Sequence, residues 1–176
     1  ARAGVEQNHQ VERHVLPRLK RLGGMPVVET RTLRTVGVVE LSIEAALRKL
    51  RIPSGVEIGL YPHLRAVDVR LTARAGSAAA ARRLLAKVER PLCRALGVAV
   101  YGVGEESLEG VVGTLLMRQR RTLAIAESCT GGLVSSRITD VSGSSRYLRG
   151  SLVAYHNDLK RCHLAVPDTV LRRFGA

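Results

Sequence analysis

A serine and a lysine, each placed just beyond a short apolar run, are the residues of this sequence that could do chemistry. Ser128 follows the apolar run 123–126 and one glutamate, and it precedes a pair of glycines. Lys160 follows a second run that ends at Tyr155. A serine hydroxyl becomes a nucleophile when a neighbouring base takes its proton, and an uncharged lysine can be that base. The pair therefore predicts nucleophilic hydrolysis of an amide.

The elements around these two residues alternate between strand-like and helix-like patterns. Alternation of this kind is typical of a parallel sheet covered by helices in three layers. In open parallel sheets ligands bind at the carboxyl ends of the strands, which is where Ser128 and Lys160 are expected to meet. The predicted elements are helix 108–119, strand 122–126, helix 131–139, strand 151–155 and helix 157–164.

Each of the three main residues also has a purely structural interpretation. Ser128 could cap the helix that follows it. Lys160 could lie on a solvated helix face, where its position in the first turn costs little. Tyr155 could be an ordinary core tyrosine with its hydroxyl at the surface, or it could orient Ser128 or Lys160 by a hydrogen bond.

The residues beside Ser128 and Lys160 leave similar alternatives. Glu127 could hold Lys160 or cap a helix, and Cys129 could be a reactive thiol or a small packing residue. Asn157 and its neighbour Asp158 are most simply caps of helix 157–164. The glycine pair predicts a helix whose free N–H groups face a phosphate or the oxyanion of a tetrahedral intermediate.

The sequence before residue 104 predicts a separate, small α+β domain over residues 25–103, joined by a short linker. Residues 1–24 are interpreted as the tail of an upstream domain or a helical lead-in, with a polar helix at 5–22. The elements predicted for the domain are strand 27–36, helix 43–50 capped by Ser42, strands 56–61 and 66–73, helix 78–96 ended by Gly97, and strand 98–103.

The net charge of +13 is the largest bulk signal, and it makes a nucleic-acid-binding module the alternative to an enzyme. The cations are mostly arginines spread along the chain, and aromatic residues for base stacking are few. A Gly-x-x-Gly string at 110–113 falls inside a predicted helix rather than in a loop, so we treat it as accidental. A third interpretation makes residues 25–103 a rigid spacer or an oligomer contact.

The cysteines and histidines favour no metal or disulfide site. Three cysteines without CxxC spacing fit a reducing, cytoplasmic setting, and five histidines show no metal-ligand spacing. No apolar stretch approaches the length of a membrane span.

The string Glu-Ser-Cys-Thr-Gly-Gly at 127–132 resembles the competence/damage-inducible CinA family. The matching segment around this string is 122–132, and further resemblance lies at 141–145, 153–160 and 174–176. The segments 57–62, 67–73 and 105–109 resemble the family's KH-like connecting domain. The resemblance implies a small KH-like α+β domain followed, over 108–176, by the first part of an α/β deamidase domain.

The resemblance also implies an activity and its residues. The family's C-terminal domain converts nicotinamide mononucleotide to nicotinic acid mononucleotide and ammonia, in pyridine nucleotide salvage, without a metal or cofactor. Ser128 then matches the nucleophile, Lys160 the general base and Tyr155 an assisting residue, and a homo-oligomer is expected. The implied substrate-binding residues are Glu127, Cys129, Thr130, Gly131, Gly132 and Asn157.

The resemblance further implies that the deamidase domain continues beyond Ala176, through a second glycine-rich loop of the substrate pocket. A polypeptide of residues 1–176 alone is then expected to be inactive or poorly stable, because part of its sheet and pocket is missing, unless another chain supplies that part. Ammonia release from nicotinamide mononucleotide measures this, and normal turnover by that polypeptide would contradict the expectation.

Overall fold

The computed structural model describes residues 26–63 and 66–175, with Arg13 and Arg18 as isolated positions before them. Apart from these two positions, the helix predicted at 5–22 lies outside the described residues. The chain forms two compact units, of which the first ends at Gly104 and the second begins at Glu105. In the described part of the chain, no helix is both long and apolar enough to cross a membrane.

The first unit is an antiparallel sheet with helices, as an α+β pattern predicts. Its strands lie in the order β2-β3-β1-β4, and β3 is the long central strand that pairs with both β2 and β1. The elements are β1 (Val27–Thr35), α1 (Glu40–Leu47), β2 (Val56–His63), β3 (Ala66–Ala75), α2 (Ala78–Leu96) and β4 (Val100–Val103).

The core of this unit lies between the sheet and one face of α2. Alternate residues of β3 point inward, so that Val69, Leu71 and Ala73 are fully buried. The helix adds a stripe at helical spacing, which includes Leu85 and Leu92. Because these side chains pack into one cluster, the alternation in the strand and the period of the helix fix which face of each element is inside.

Two buried polar side chains in this core have hydrogen-bonding partners. Thr35 Oγ1 donates to the carbonyl of Val67 at 2.6 Å and accepts from its N–H at 3.2 Å. The carboxylate of Asp68 accepts from Arg34 Nη1 at 2.5 Å, and His63 Nε2 lies 3.0 Å from it. Since unpaired buried polar groups are costly, these contacts help to fix the register of β1 against β3.

Six predicted boundaries in the first unit differ from the structure by one to three residues, and two of them lie at the start of an element. Helix α1 begins at Glu40, so Ser42 lies inside the helix instead of capping it, and the capping position is taken by Val39 without a side-chain hydrogen bond. Strand β4 begins at Val100, because a 3-10 turn precedes it. Gly97 ends α2 as predicted, with a φ of 56° that favours glycine.

The second unit contains a parallel pair of strands with helices, as the alternating pattern predicts. Strands β5 and β6 pair in parallel, with Ala126 opposite Leu152 and Glu127 opposite Val153. The elements are α3 (Leu108–Arg118), β5 (Leu123–Glu127), α4 (Leu133–Thr139), β6 (Leu148–Val153), α5 (Asn157–Leu164) and α6 (Asp168–Phe174).

The boundaries of β5, α4 and β6 differ from their predictions by one to three residues. Strand β6 begins at Leu148 because it pairs with Leu123 at the start of β5. It ends at Val153, so Tyr155 lies beyond the strand rather than within it. Ser107 caps α3, since its hydroxyl accepts from the N–H of Gly110 at 3.1 Å.

Tyr147 is the largest fully buried side chain of the second unit, and the sequence alone did not single it out. It lies against Gly113 of α3, where an added Cβ atom would come within 2.5 Å of the tyrosine hydroxyl oxygen. The second glycine of the Gly-x-x-Gly string is therefore a packing position, not a nucleic-acid clamp. The buried hydroxyl of Tyr147 makes no hydrogen bond with a described residue.

We predict that Gly113→Ala destabilises the protein by about 1–3 kcal/mol, because the new methyl group overlaps the Tyr147 ring. Gly110→Ala is the matched control in the same helix, since its Cβ would meet only the Ser107 hydroxyl, at 3.1 Å. Thermal and chemical denaturation measure both changes. Equal stabilities of the two variants would contradict this account of the packing.

Candidate functional site

The parallel pairing of β5 and β6 brings the two predicted site segments to one edge of the sheet. The last ladder contact is the hydrogen bond from the N–H of Ala154 to the carbonyl of Glu127, at 2.8 Å. Ser128 is the next residue after β5, and Tyr155 follows Ala154 after β6. The carboxyl ends of both strands therefore start the segments that carry Ser128 and Lys160.

Ser128 begins a tight turn that leads into α4. The N–H of Gly131 donates to the carbonyl of Ser128 at 3.0 Å, and Gly131 and Gly132 have φ values of 60° and 102°. Both values lie in the left-handed region, where a side chain is strained. The Ser128 side chain is half-buried, and its hydroxyl makes no hydrogen bond with a described residue.

The carboxylate of Glu127 holds this turn together. It is buried at the end of β5, and one oxygen accepts from the Thr130 hydroxyl at 2.7 Å and from the N–H of Val134 at 3.0 Å. The other oxygen accepts from the N–H of Ser135 at 2.8 Å and from its hydroxyl in a shorter contact. Of the two structural alternatives for Glu127, helix capping is the observed one, and Lys160 is not among its partners.

These contacts determine the charge state of Glu127. Burial alone would raise the pKa of the carboxyl group, but the hydrogen bonds from Ser135, Thr130 and Val134 outweigh burial and lower the pKa to about 2. The carboxylate is therefore ionised over the whole physiological range. Its negative charge lies at the N-terminus of α4, where the helix dipole favours it.

The helix N-terminus is consequently not the free donor site that the glycine pair predicts. The first N–H groups of α4 are occupied by Glu127 and by the carbonyls of Thr130 and Gly132. The backbone N–H groups of Cys129, Thr130 and Gly132 donate to no described residue. The donors that a negatively charged oxygen could use are thus in the turn itself.

Lys160 lies in the first turn of α5 with its side chain buried. Its Nζ donates to the Asn157 side-chain oxygen at 3.2 Å, three residues earlier in the same helix. The cap of α5 is His156, whose Nδ1 accepts from the N–H of Asp158 at 3.3 Å. The prediction that Asn157 and Asp158 are the caps is therefore wrong, and Asn157 is the partner of the lysine.

The structure does not bring the three proposed catalytic residues into direct hydrogen bonds. The segments that carry Ser128 and Lys160 begin at the same sheet edge, but Lys160 donates to Asn157 and not to the serine. Tyr155 is 69% exposed, so it is not the core tyrosine of the structural alternative. Cys129 is exposed as well, which contradicts its interpretation as a packing residue.

An apolar groove of about 490 Å³ lies beside β5, and it contains none of the predicted site residues. It is bounded by α3 and α4, with the Glu109–Arg137 ion pair at its margin. Among the described residues, no cluster of histidine, cysteine and acidic side chains could hold a metal ion.

We predict that replacing Glu127 with Gln flattens the dependence of stability on acid pH. The pKa of Glu127 is about 2 in the folded protein and 4.5 without these contacts. A carboxyl whose pKa is lowered by folding stabilises the protein above its unfolded pKa, and this stabilisation is lost as the pH falls from about 4.5 to 2. Glu127→Gln removes that loss and lowers stability at neutral pH, because an amide NH₂ group meets the helix N–H donors.

Chemical denaturation between pH 2 and pH 7 measures the effect. Asp140→Asn is the control, because it neutralises an exposed carboxylate at the other end of α4. An unchanged pH dependence in Glu127→Gln would show that the carboxylate does not hold the turn.

Two family descriptions match the two units. Residues 30–102 match "Damage-inducible protein CinA KH domain", and residues 105–176 match "CinA C-terminal domain". Among solved structures, the competence/damage inducible protein CihA of Agrobacterium tumefaciens is 38% identical, with a TM-score of 0.38 over 39% of this chain and 42% of that chain.

Relatives along most of the sequence carry the same names. A CinA-like protein of Frankia casuarinae is 42% identical over 97% of this chain, and one of Desulfotalea psychrophila is 36% identical over 93%. A putative competence-damage inducible protein of Desulforudis audaxviator is 38% identical over 94%. The chain spans about two fifths of the length of these relatives. With both units matched in order, the chain belongs to the CinA family of competence/damage-inducible proteins.

Proposed function

We propose that the second unit contributes to an amidohydrolase that converts nicotinamide mononucleotide to nicotinic acid mononucleotide and ammonia. One observation carries the proposal. A serine whose hydroxyl makes no hydrogen bond with a described residue, and a buried lysine, follow the carboxyl ends of two paired parallel strands. This arrangement supplies a nucleophile and a nitrogen base at the edge where parallel sheets bind ligands.

In the proposed acylation step, uncharged Lys160 takes the proton of the Ser128 hydroxyl as its oxygen attacks the carboxamide carbon. The carbonyl oxygen becomes an oxyanion, and the N–H groups of the Ser128 turn that donate to no described residue are the proposed donors to it. Lys160 then returns the proton to the leaving nitrogen, so that the C–N bond breaks and ammonia departs. The product of this step is an ester on Ser128.

In the second step water attacks the ester carbonyl, Lys160 takes a proton from the water, and Ser128 recovers its own. Asn157 keeps the lysine at the site because its side-chain oxygen accepts from Nζ. Tyr155, exposed at the same edge, is proposed to contact the substrate. No metal or cofactor enters either step.

The contacts of Glu127 suggest a role for it that differs from substrate binding. Both carboxylate oxygens are occupied by groups of the turn and of α4. We therefore propose that Glu127 positions the Ser128 turn. Direct contact with the substrate is left to the exposed residues of the turn, Cys129 and Thr130, and to the two glycines.

We predict that Ser128→Ala abolishes ammonia release from nicotinamide mononucleotide in the full-length protein while its stability stays within about 0.5 kcal/mol, as for most surface changes. Lys160→Met, which keeps the length of the buried side chain, should lower kcat by about 10²–10⁴-fold. Ser136→Ala is the matched control, since this serine is exposed on α4. Wild-type turnover by Ser128→Ala would refute the assignment of the nucleophile.

A further inference from the structure

The outer face of α2, in the first unit, carries a row of four cations that pair with no carboxylate of the described residues. The helix repeats every 3.6 residues, so these four positions fall within an arc of about 60° at 100° per residue. All four side chains are exposed, and the arc lies opposite the buried stripe of the helix. The cations of this row are Arg83, Lys87, Arg90 and Arg94.

A fifth cation joins the row from the loop between α1 and β2. Arg51 and Lys87 line one cavity of about 450 Å³, which Ser54 also lines. The remaining wall of the cavity is formed by Ile52 and Pro53. No acidic side chain of the described residues lines it, so a negatively charged group would meet two positive charges there.

The acidic residues near α2 lie on a different side of the helix. Glu89, the helix's single acid, is 3.6 Å from Arg31 of β1, and Arg82 is 3.5 Å from Glu29 of the same strand. These pairs occupy the flank that faces the sheet. In the described part of the chain, none of the five cations of the outer row forms an ion pair with a carboxylate.

We propose that this row, defined by Arg51 and the four cations of α2, binds the phosphate backbone of double-stranded nucleic acid without sequence preference. Successive cations of α2 are about 4.5–6 Å apart along the helix axis at a rise of 1.5 Å per residue. The row thus extends over about 16 Å. One duplex strand carries a phosphate about every 3.4 Å, so four or five phosphates fit along the row.

The composition of the surface favours a nucleic-acid duplex over a single strand or a membrane surface. Single-stranded nucleic acid is usually held by aromatic stacking as well as charge, and the outer row contains no aromatic residue. A membrane surface would require large apolar side chains to insert, whereas the residues interspersed on this face of α2 are alanines.

The proposed surface differs from the contact by which KH domains usually clamp a nucleic-acid backbone. That contact is a Gly-x-x-Gly loop, and residues 1–104 contain no such string. The string that does occur, at 110–113, is inside α3 and packs on Tyr147. Backbone binding by the outer row is therefore a different mode, based on charge along a helix.

Fluorescence anisotropy tests the proposal. A labelled 20-base-pair duplex of arbitrary sequence is titrated with the full-length protein at a series of NaCl concentrations, and the affinity is measured at each. Each phosphate contact adds about 0.9 to the slope of log affinity against log salt. The variant Arg83→Gln/Lys87→Gln/Arg90→Gln should therefore lose about 2.7 from that slope. The control Arg74→Gln/Arg82→Gln removes cations that pair with Glu57 and Glu29, and its slope should stay within about 0.5 of the wild type.

The proposal is overturned if the wild-type protein does not bind the duplex at low salt, or if the control lowers the slope per charge as much as the triple variant does. Binding of a single strand or of phosphatidylserine vesicles that depends on the row, without binding of the duplex, would also contradict it. Circular dichroism and melting of each variant confirm that the exposed substitutions leave the fold intact.

Discussion

The carboxylate of Glu127 is the interaction on which the candidate site depends. Its backbone carbonyl closes the ladder between β5 and β6, and its side chain binds the turn and the first N–H groups of α4. One residue thus joins a strand, a turn and a helix around Ser128. Because the carboxylate stays ionised down to about pH 2, this junction is unaffected by ordinary changes in pH. Within the described part of the chain, the serine hydroxyl and three N–H groups of the turn keep no hydrogen-bond partner, so they could meet a ligand.

The segment that carries Lys160 is also held by hydrogen bonds between residues that are close in sequence. His156 caps α5, and the side-chain oxygen of Asn157 accepts a hydrogen bond from the buried Nζ of Lys160. Each proposed catalytic side chain is therefore positioned by residues adjacent to it in sequence, while the parallel pairing of the two strands brings the segments to one edge. The two units carry different candidate functions: the second contains the segments of Ser128 and Lys160, and the first contains the row of cations that has no carboxylate partner among the described residues.

Most of the element order could be predicted from the sequence, because alternation in β3 and the 3.6-residue period of α2 and α3 are strong local signals. The parallel pairing also followed from the strand and helix order. The predictions were wrong where a contact with a residue distant in sequence determines where an element begins or what a side chain binds. Pairing with β5 moved the start of β6 to Leu148, and the four donors to Glu127 could not be read from an isolated Glu-Ser pair. Tyr147 was missed because a lone tyrosine in a serine-rich loop gives no sign that Gly113 makes room for it.

The most direct test of the central claim is to identify the atom that carries the acyl group during turnover. The full-length protein is mixed with nicotinamide mononucleotide, quenched in acid and digested, and the peptide of residues 122–137 is fragmented in a mass spectrometer. The account predicts an ester of nicotinic acid mononucleotide on Ser128, which is absent from Lys160→Met. An adduct on the neighbouring Cys129, or continued ammonia release with no adduct on this peptide, would contradict it.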